Sequence, residues 1–511
     1  MTAAVMHPVD GRTLQREVLE DVARGRAEVS LDPEARARMQ RTRAVVEKAI
    51  ASGYPVYGLN TGFGKLSEIA IAHDELATLQ RNLVRSHAAG IGTPLSEPEV
   101  RAMMLLRANV LASGYAGARP ELVDLLLHML NAGVVPIVPE QGSVGASGDL
   151  APLAHLALVL IGEGRARFRG EESNGAAILA RAGLVPVTLA AKEGLALING
   201  TQAHTAVTAL AASELHRLWR AAHVVGAMTL DALLGTPDAF DARLQEARGQ
   251  RGQRTSAALL RELLGGSALR ESHRRGDPRV QDAYALRCMP QVHGPALDAI
   301  EFSLGVIGQE LNAATDNPLV LESGELLSGG NFHGQAVAMA ADFLAIICAN
   351  LAVISERRTD RLVHPDFNQG LPAFLAERPG LESGLMMAQV TAAAITSDMK
   401  RLASPASVDS IPTDGNKEDV VPMAMGAALK LRQSVFGLRH VLAVELLCAA
   451  DAIDFRRPLT SSVPLEIAHA RVRRMVPARS GDRSPSPDIQ VLAEALTNGE
   501  FEPSGLREAN G

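Results

Sequence analysis

Apolar residues recur at three- and four-residue spacing along much of this 511-residue chain, which is the period of a helix with one buried face. Residues 74–86 and 97–113 show the pattern clearly. Five further stretches share it, and several of them are apolar on most faces: residues 201–234, 295–314, 334–356, 382–402 and 421–453. A helix that is apolar all round has to lie inside other structure. The pattern therefore predicts a mostly α fold, in which long central helices form a bundle wrapped by other helices.

Strand signals are few and short. They occur at residues 134–138 and at residues 184–188, where Val185 and Val187 give an alternating pattern. The basic stretch 248–254 (RGQRGQR) is expected to break any helix and to form a solvated loop. These features predict very little sheet.

The chain shows no internal repeat and no obvious interdomain linker. We expect two regions, a smaller, loop-rich N-terminal α region over residues 1–200 and a long-helix bundle region over residues 201–511. The second region includes a Pro/Ser-rich tail, which is expected to carry one more helix over residues 489–496.

The composition supports helices and argues against nucleic acid as a partner. Aromatic residues make up only 3% of the chain, and Trp219 is its single tryptophan. Ala, Leu, Val and Met must then fill the core, which suits closely packed helices better than a sheet sandwich. The net charge of −7 comes from 57 acidic and 50 basic residues, without a long block of one sign. Nucleic-acid binding is therefore not expected.

Three widely separated cysteines, Cys288, Cys348 and Cys448, lack metal-ligand spacing and are typical of reduced thiols in the cytoplasm. Residues 1–25 contain no apolar signal core. Residues 336–354 are long and apolar enough to nearly span a bilayer, but they contain Asp342, and a charge inside a bilayer is costly. We therefore expect a buried helix there, no membrane span and a cytoplasmic location.

The most informative segment is the Gly-rich loop of residues 141–155, QGSVGASGDLAPLAH. By itself it is compatible with a turn or with a phosphate-binding loop at the start of a helix. It lacks the Gly-Lys-Ser/Thr ending of a Walker loop, and a helical chain does not supply the βαβ unit of a dinucleotide fingerprint. The segment instead resembles the signature of the histidine and aromatic amino-acid ammonia-lyases. The similarity runs from about residue 57 to about residue 488.

In that family an Ala-Ser-Gly triplet cyclises and loses water to form 4-methylidene-imidazol-5-one (MIO), without any external cofactor. The resemblance gives this role to Ala146, Ser147 and Gly148. The residue types suit the chemistry, because the Gly148 nitrogen must reach the Ala146 carbonyl carbon and Ser147 must carry a leaving group on Cβ. The product is an electron sink that no ordinary side chain offers. The resemblance also implies a fumarase/aspartase-like architecture with the MIO loop in the N-terminal region.

Two further motifs resemble loops of the family's active site. Tyr57, in YGLNTGFG, would be the base that removes the substrate β-proton. Arg287, in QDAYALR, would bind the α-carboxylate with its forked guanidinium. In the same motif Tyr284 would lie near the methylidene group and the departing amine, and Gln281 would line the pocket. Without the triplet, the plainer interpretation is a Tyr packed under a glycine turn and a structural Arg on a helix.

Asn199, in LINGT, resembles the family asparagine that hydrogen-bonds the prosthetic group, although an isolated Asn-Gly would be merely a turn. Phe332, in GGNFHG, would lie near the same group. The adjacent His333 could suggest a metal site with His293 or His204. No His-x-x-x-His motif or carboxylate at ligand spacing accompanies it, so no metal is expected.

Two residues bear on the substrate. His87, in VRSHAAG, lies at the family's selectivity position and can hydrogen-bond an imidazole nitrogen, whereas a phenyl ring would leave it unmatched. Glu418 falls where histidine-type members carry Glu, and its carboxylate can bind an imidazole N–H and assist proton movement. For each residue alone an ordinary capped helix start is the plainer interpretation. Together they imply non-oxidative deamination of L-histidine to trans-urocanate and ammonia.

Four positions depart from the histidine-type pattern. Lys417 stands where Gln is usual, Asp414-Gly415 replaces Ser-Ala, and Met289 replaces a polar residue. The open alternatives are a tyrosine or phenylalanine ammonia-lyase, an MIO-dependent 2,3-aminomutase, and a noncatalytic helical scaffold whose loop never cyclises. Because the family assembles its active sites from several subunits of a tetramer, the resemblance also implies a homotetramer with shared active sites.

Overall fold

The protein is described from a computed structural model, which covers residues 6–53, 56, 58–62, 64–66 and 68–506. Helices dominate it, as the periodicity predicts, and the expectation of a mostly α fold is confirmed. The α-helices are α1 Arg16–Ala23, α2 Pro33–Ala51, α3 Leu76–His87, α4 Glu97–Ala112, α5 Pro120–Ala132, α6 Leu150–Leu160, α7 Gly175–Arg181, α8 Glu193–Ile198, α9 Gln202–Ala232, α10 Ala242–Arg248, α11 Arg251–Leu264, α12 Ala268–Ser272, α13 Tyr284–Arg287, α14 Met289–Glu310, α15 Gln335–Val363, α16 Met386–Leu402, α17 Ala424–Asp454, α18 Val463–Met475 and α19 Ser486–Thr497.

The strands are short and form small sheets. They are β1 Met6–Val9, β2 Glu28–Leu31, β3 Ile91–Pro94, β4 Val135–Pro136, β5 Pro139–Gln141, β6 Arg165–Phe168, β7 Glu171–Asn174, β8 Leu319–Val320 and β9 Leu326–Leu327. β1 pairs with β2 in parallel, whereas β3–β5, β4–β6–β7 and β8–β9 are antiparallel. The strand predicted over residues 134–138 is thus present as β4.

The prediction of a strand over residues 184–188 is wrong. The segment is an extended connection after α7, and it pairs with no strand of the described chain. Pro186 cannot donate a backbone hydrogen bond, and its ring packs against Gly162. Val187 donates instead to the carbonyl of Leu160, the last residue of α6, at 2.9 Å, whereas the Val185 side chain is exposed.

The prediction of a loop over residues 248–254 is also wrong, because α11 begins at Arg251. Gly252 lies in its first turn, where an added Cβ would come within 2.2 Å of the Gly294 carbonyl oxygen on α14. The glycine therefore permits a close helix–helix approach and does not end a helix. α14 itself begins at Met289, six positions before the predicted start, and Pro295 lies inside it.

The contacts divide the chain into two compact units, and the first comprises residues 1–210, 304–342 and 405–429. Its central element is α4, which is buried along nearly its whole length and which packs on α1, α2 and α5. Ser96 and Glu99 form a capping box at its start, which satisfies backbone N–H groups at the helix terminus. α3, α6 and α8 pack on one another in the same unit, and the Gly-rich loop leads directly into α6.

The second unit comprises residues 211–303, 343–404 and 430–511. A fully buried ion pair lies inside it, in which Arg358 donates two hydrogen bonds of 2.6 and 2.8 Å to Glu445. The hydroxyls of Thr229 and Ser355 donate to the same carboxylate at 2.7 and 2.6 Å. The charge is therefore paired and hydrogen-bonded, as a buried charge must be. The boundary expected at residue 200 stays a prediction.

α15 contains the stretch considered above as a possible membrane span. It is the one described helix that is long and apolar enough to cross a bilayer. Two-thirds of its most apolar stretch is buried inside the protein (67%), and Asp342 is buried and accepts a hydrogen bond of 2.7 Å from the Ser407 backbone nitrogen. Both features fit a core helix.

Candidate active site

The triplet Ala146-Ser147-Gly148 forms a tight turn between β5 and α6. Gly148 has φ +69°, and a Cβ there would come within 2.2 Å of the Gly200 carbonyl oxygen. The Asn199 side-chain amide donates to the Ser147 carbonyl oxygen at 2.8 Å. The turn thus requires glycine at its third position and places the predicted asparagine directly on the backbone of its serine.

Asp149 anchors this turn from below the protein surface, where it is fully buried. It accepts hydrogen bonds from the Ser143 hydroxyl at 2.7 Å and from the backbone nitrogens of Ala203 and His204 at 2.8 and 2.9 Å. His204 Nδ1 lies 2.8 Å from the same carboxylate. Burial opposes both charges, but their mutual attraction and hydrogen bonding lower the pKa of Asp149 and raise the pKa of His204.

Sequence reasoning did not identify Asp149 as an anchor, and it considered His204 only as a metal ligand. The two residues lie 55 positions apart, so spacing along the chain does not connect them. The available signal was the acidic residue directly before α6, but Asp149 does not cap that helix. It receives the first N–H groups of α9 instead, where a negative charge is favourable.

A cavity of about 570 Å³ borders the turn in the first unit. Four predicted site residues from separate parts of the chain line it together: His87, Ser147, Asn199 and Glu418. The other lining residues are Gly62, Gly64, Lys65, Leu66, Ile69, Ile71, Leu79, Asn82, Leu83, Ser86, Leu150, Leu195 and Asp414. A concave, largely apolar space with a few convergent polar groups is what a small-molecule site requires.

His87 is the last residue of α3, and its Nδ1 lies 2.9 Å from the Leu83 carbonyl oxygen. A carbonyl oxygen can only accept, so Nδ1 carries the proton. Burial lowers the pKa of His87, against the opposing influence of the Leu83 carbonyl and of the charges of Asp414 and Glu418. In the neutral ring, Nε2 is then left as a hydrogen-bond acceptor.

Glu418 closes a turn that begins at Thr413. The backbone nitrogen of Thr413 donates to the Glu418 carbonyl at 2.9 Å, and its hydroxyl donates to one Glu418 carboxylate oxygen. Within the turn the side chain of Asp414 reaches the cavity as well. The cavity end near His87 thus carries two carboxylates, of which only Glu418 was predicted as a site residue.

The remaining predicted residues lie elsewhere. Tyr57 is outside the described residues. Phe332 is half-buried in the first unit, in a loop that is joined to the triplet loop where Gly334 N donates to Gly145 O at 3.0 Å. Gln281, Tyr284 and Arg287 belong to the second unit.

Tyr284 and Arg287 are adjacent on the single turn of α13. The Arg287 guanidinium lies 4.7 Å from the centre of the Tyr284 ring, which is close enough for a cation–π contact. The Tyr284 side chain is 71% exposed, and Gln281 is exposed too. None of these three residues is among those that line the cavity.

Comparison with known proteins identifies the family. The family model for aromatic amino acid lyases matches residues 14–474, which include every predicted site residue. The chain belongs to the aromatic amino acid lyase family. It is 54% identical to a histidine ammonia-lyase of Anaeromyxobacter sp. (strain K), over 97% of this chain and 99% of that protein.

Solved structures of the family share the fold. The crystal structure of a histidine ammonia-lyase from Trypanosoma cruzi has a TM-score of 0.91 at 41% identity, over 98% of this chain and 95% of that one. A tyrosine aminomutase from Streptomyces globisporus has a TM-score of 0.94 at 37% identity, over 99% of both chains. The family thus contains members with different named reactions on one fold.

Among the described residues, no group of three or more His, Cys, Asp or Glu side chains could hold a metal ion. His204 is paired with Asp149, and His333 Nε2 lies 3.1 Å from the carbonyl oxygen of Val420. The absence of a catalytic metal stays a prediction.

Proposed function

We propose that the protein is a histidine ammonia-lyase, which converts L-histidine to trans-urocanate and ammonia without oxidation. The observation that carries this proposal is the shared cavity, in which Ser147 of the triplet lies together with His87 and Glu418. Both polar residues suit an imidazole ring, and both would be left unpaired by a phenyl ring. The similarity to proteins named histidine ammonia-lyase agrees with this chemistry.

The triplet turn fits the formation of MIO. Gly148 has the left-handed conformation and the close backbone contact that a side chain would prevent, and Asn199 binds the serine carbonyl. The prosthetic group would thus be built from Ala146, Ser147 and Gly148, with no external cofactor. When formed, it supplies the electrophile that makes the substrate amine a good leaving group.

The protein's own side chains would bind the substrate and move its proton. Arg287 binds the α-carboxylate through its permanent charge, while His87 and Glu418 hold the imidazole ring. Tyr57 removes the β-proton, and Tyr284 lies beside the departing amine. Asn199 holds the triplet, and Gln281 and Phe332 complete the walls around the substrate.

We expect a homotetramer in which different subunits contribute residues to each active site. The exposure of Tyr284 supports this expectation, because an active site has to exclude water and another subunit could cover the exposed phenol. Exposed apolar side chains on the helices of the second unit, among them Phe302, Met387 and Phe436, offer surface for such an interface. Light scattering of the purified protein tests the tetramer. The expected location is the cytoplasm, with no membrane or nucleic-acid partner.

The decisive experiment is to mix the purified protein separately with L-histidine, L-tyrosine and L-phenylalanine and to follow the near-ultraviolet rise of the conjugated acrylate. A rise with histidine alone supports the proposal. A rise with an aromatic substrate would keep the family chemistry and contradict the roles of His87 and Glu418. If no substrate reacts, the intact mass shows whether the triplet has lost two waters.

A 2,3-aminomutase is the second candidate, because the fold is also similar to that of a tyrosine aminomutase. The two reactions differ in how long the acrylate and the amine stay bound before release. Chromatography of the products separates them, since only an aminomutase returns a β-amino acid. The Tyr57→Phe variant should abolish either reaction and leave the fold intact.

A further inference from the structure

The end of the cavity near His87, where the substrate ring would bind, is called the ring end. It presents hydrogen-bond acceptors from two parts of the chain. Asp414 and Glu418 contribute carboxylates from one turn, and His87 contributes an imidazole from α3. Asp414 is one of the positions at which this sequence departs from the histidine-type pattern, where Ser is usual. The structure shows why the change matters, because the additional carboxylate borders the cavity itself.

The turn places the Asp414 side chain against Gly64 and Lys65. Asp414, Gly415 and Asn416 have φ values of +48°, +59° and +65°, so three successive residues are left-handed. Asp and Asn are the side-chain-bearing residues that tolerate this region best. An Asp414 carboxylate oxygen lies 3.4 Å from Lys65 N, and the group packs against Gly64, where a Cβ would come within 2.2 Å of it.

His87 adds an acceptor and no donor. Its Nδ1 proton is committed to the Leu83 carbonyl, which leaves the lone pair of Nε2 available. The Ser86 hydroxyl lies 3.1 Å from the Leu83 carbonyl oxygen and 3.0 Å from His87 Nδ1, so both Ser86 Oγ and His87 Nδ1 have partners within the helix. The ring end therefore offers carboxylate oxygens and a ring nitrogen that all seek N–H groups.

A neutral imidazole has one N–H donor and one acceptor, so it can match such a site at only one of its nitrogens. A protonated imidazolium has two N–H donors and a positive charge, and it can satisfy a carboxylate and His87 Nε2 together. We propose that Asp414 is a specificity-determining residue that, with Glu418 and His87, makes this cavity select the imidazolium form of its substrate. This inference rests on the proposed deamination of histidine.

The other charges near the turn do not cancel these carboxylates. Lys65 and Lys417 are exposed, and Lys65 also lines the cavity. Solvent screens these ammonium charges, as it screens the Asp414 carboxylate, which is also exposed, whereas Glu418 is half-buried. Asp419, the next acidic residue, is exposed and does not line the cavity.

On the side of α3, the cations point to other partners. Arg85 binds Glu163 with two hydrogen bonds of 2.7 and 2.8 Å, and Arg81 is exposed outside the cavity lining. Asn82, which does line the cavity, is uncharged. On this side of the cavity, no cation of the described chain is therefore among the lining residues.

Binding the ring as a cation would also help the reaction. A positively charged ring withdraws electrons from the adjacent Cβ, so the β-hydrogen becomes more acidic and easier for a phenolate to remove. The carboxylates of Asp414 and Glu418 would then contribute both to substrate selectivity and to the removal of the β-proton.

The test compares L-histidine with L-2-fluorohistidine, whose ring is not protonated in the working pH range, in the wild-type enzyme. Histidine rings lose their proton near pH 6.5. KM for histidine should therefore rise as pH increases from 6 to 8, whereas KM for the fluorinated substrate should not follow that rise. This measurement needs no variant. Identical pH profiles for the two substrates would overturn the proposal.

Variants then assign the effect to Asp414. Asp414→Asn should raise KM for histidine about fivefold at pH 6, where a partly exposed charge contributes this much, with a smaller rise at pH 8. Asp414→Ser should do the same, and kcat should change less than KM for both. Asp419→Asn is the matched control, since it removes a neighbouring charge that does not line the cavity.

The outcomes separate the two proposals. Equal KM values for Asp414→Asn and Asp419→Asn, in proteins with unchanged circular dichroism, would overturn the role of Asp414. Wild-type protein that forms its prosthetic group but does not deaminate histidine would contradict the proposed function instead.

Discussion

Removing the carboxylate of Asp149 should lower the free energy of unfolding of the first unit more than removing any exposed charge in that unit. Asp149→Ala deletes an acceptor that serves Ser143, Ala203 and His204 at 2.7 to 2.9 Å, and it leaves a buried imidazolium without its counter-ion. Removing one partner of a buried ion pair costs about 3–5 kcal/mol of unfolding free energy. Asp149→Asn keeps one acceptor oxygen, so its cost should be about 1–3 kcal/mol.

Urea unfolding followed by far-ultraviolet circular dichroism measures both values, with Asp74→Ala as the control because Asp74 is exposed. Intact mass on the same samples reports whether the triplet has lost its two waters, which we expect to fail in Asp149→Ala. A loss below about 1 kcal/mol in Asp149→Ala would refute the reasoning, since one buried hydrogen bond to a charged group already exceeds it.

The pH dependence of this difference is fixed by the two pKa shifts. The pKa of Asp149 is lowered in the folded state, so its contribution is present above the unfolded value of about 3.9 and is lost as pH falls through the folded value. The pKa of His204 is raised, so its contribution is complete below about 6.5 and is lost as pH rises through the folded value. The difference between wild type and Asp149→Ala should be largest between these limits and should narrow toward pH 9. A difference that stays constant from pH 5.5 to pH 9 would show that the pair is uncharged.

Three further predictions follow from single contacts. His87→Phe removes the Nε2 acceptor, so kcat/KM for L-histidine should fall by about a hundredfold in the acrylate assay, and an unchanged value would exclude His87 from the site. Gly148→Ala places a Cβ within 2.2 Å of the Gly200 carbonyl oxygen, so its triplet should not cyclise. The intact mass should then be that of the uncyclised variant chain, which is two waters above the mass of a cyclised one. Glu445→Ala leaves the fully buried Arg358 unpaired and should cost about 3–5 kcal/mol in urea unfolding, a cost that a solvated guanidinium would not show.

The helices were predictable because their signal is local. A period of 3.6 residues with apolar side chains on most faces requires burial wherever the helix lies. α9, α16 and α17 therefore end within a few residues of the predicted limits. The site residues His87, Asn199 and Glu418 were predictable for another reason, since family motifs preserve side chains that local propensity does not explain. Their convergence on one cavity is a property of the fold.

The failures share a cause, which is a partner distant along the chain. Gly252 looks like a helix breaker in the sequence, but in the structure it allows α14 to approach closely, because a Cβ there would lie 2.2 Å from the Gly294 carbonyl oxygen. Residues 184–188 look like a strand in the sequence, but no strand of the described chain pairs with them. Asp149 looks like a helix cap until α9 supplies the N–H groups that it accepts. In each case the local pattern allows two structures, and a contact with a remote segment selects one.

A single residue at a helix end shows how such a small difference reaches the chemistry. The periodicity predicts a helix over residues 74–86, one position short of His87, whereas α3 includes it. Inclusion places His87 one helical turn after Leu83, so its Nδ1 donates to that carbonyl and its Nε2 is left as an acceptor. Without that contact, the ring could present Nδ1–H or Nε2–H to the cavity and bind a neutral imidazole. The proposed preference for an imidazolium ring therefore depends on where α3 ends, which is the property that sequence patterns define least precisely.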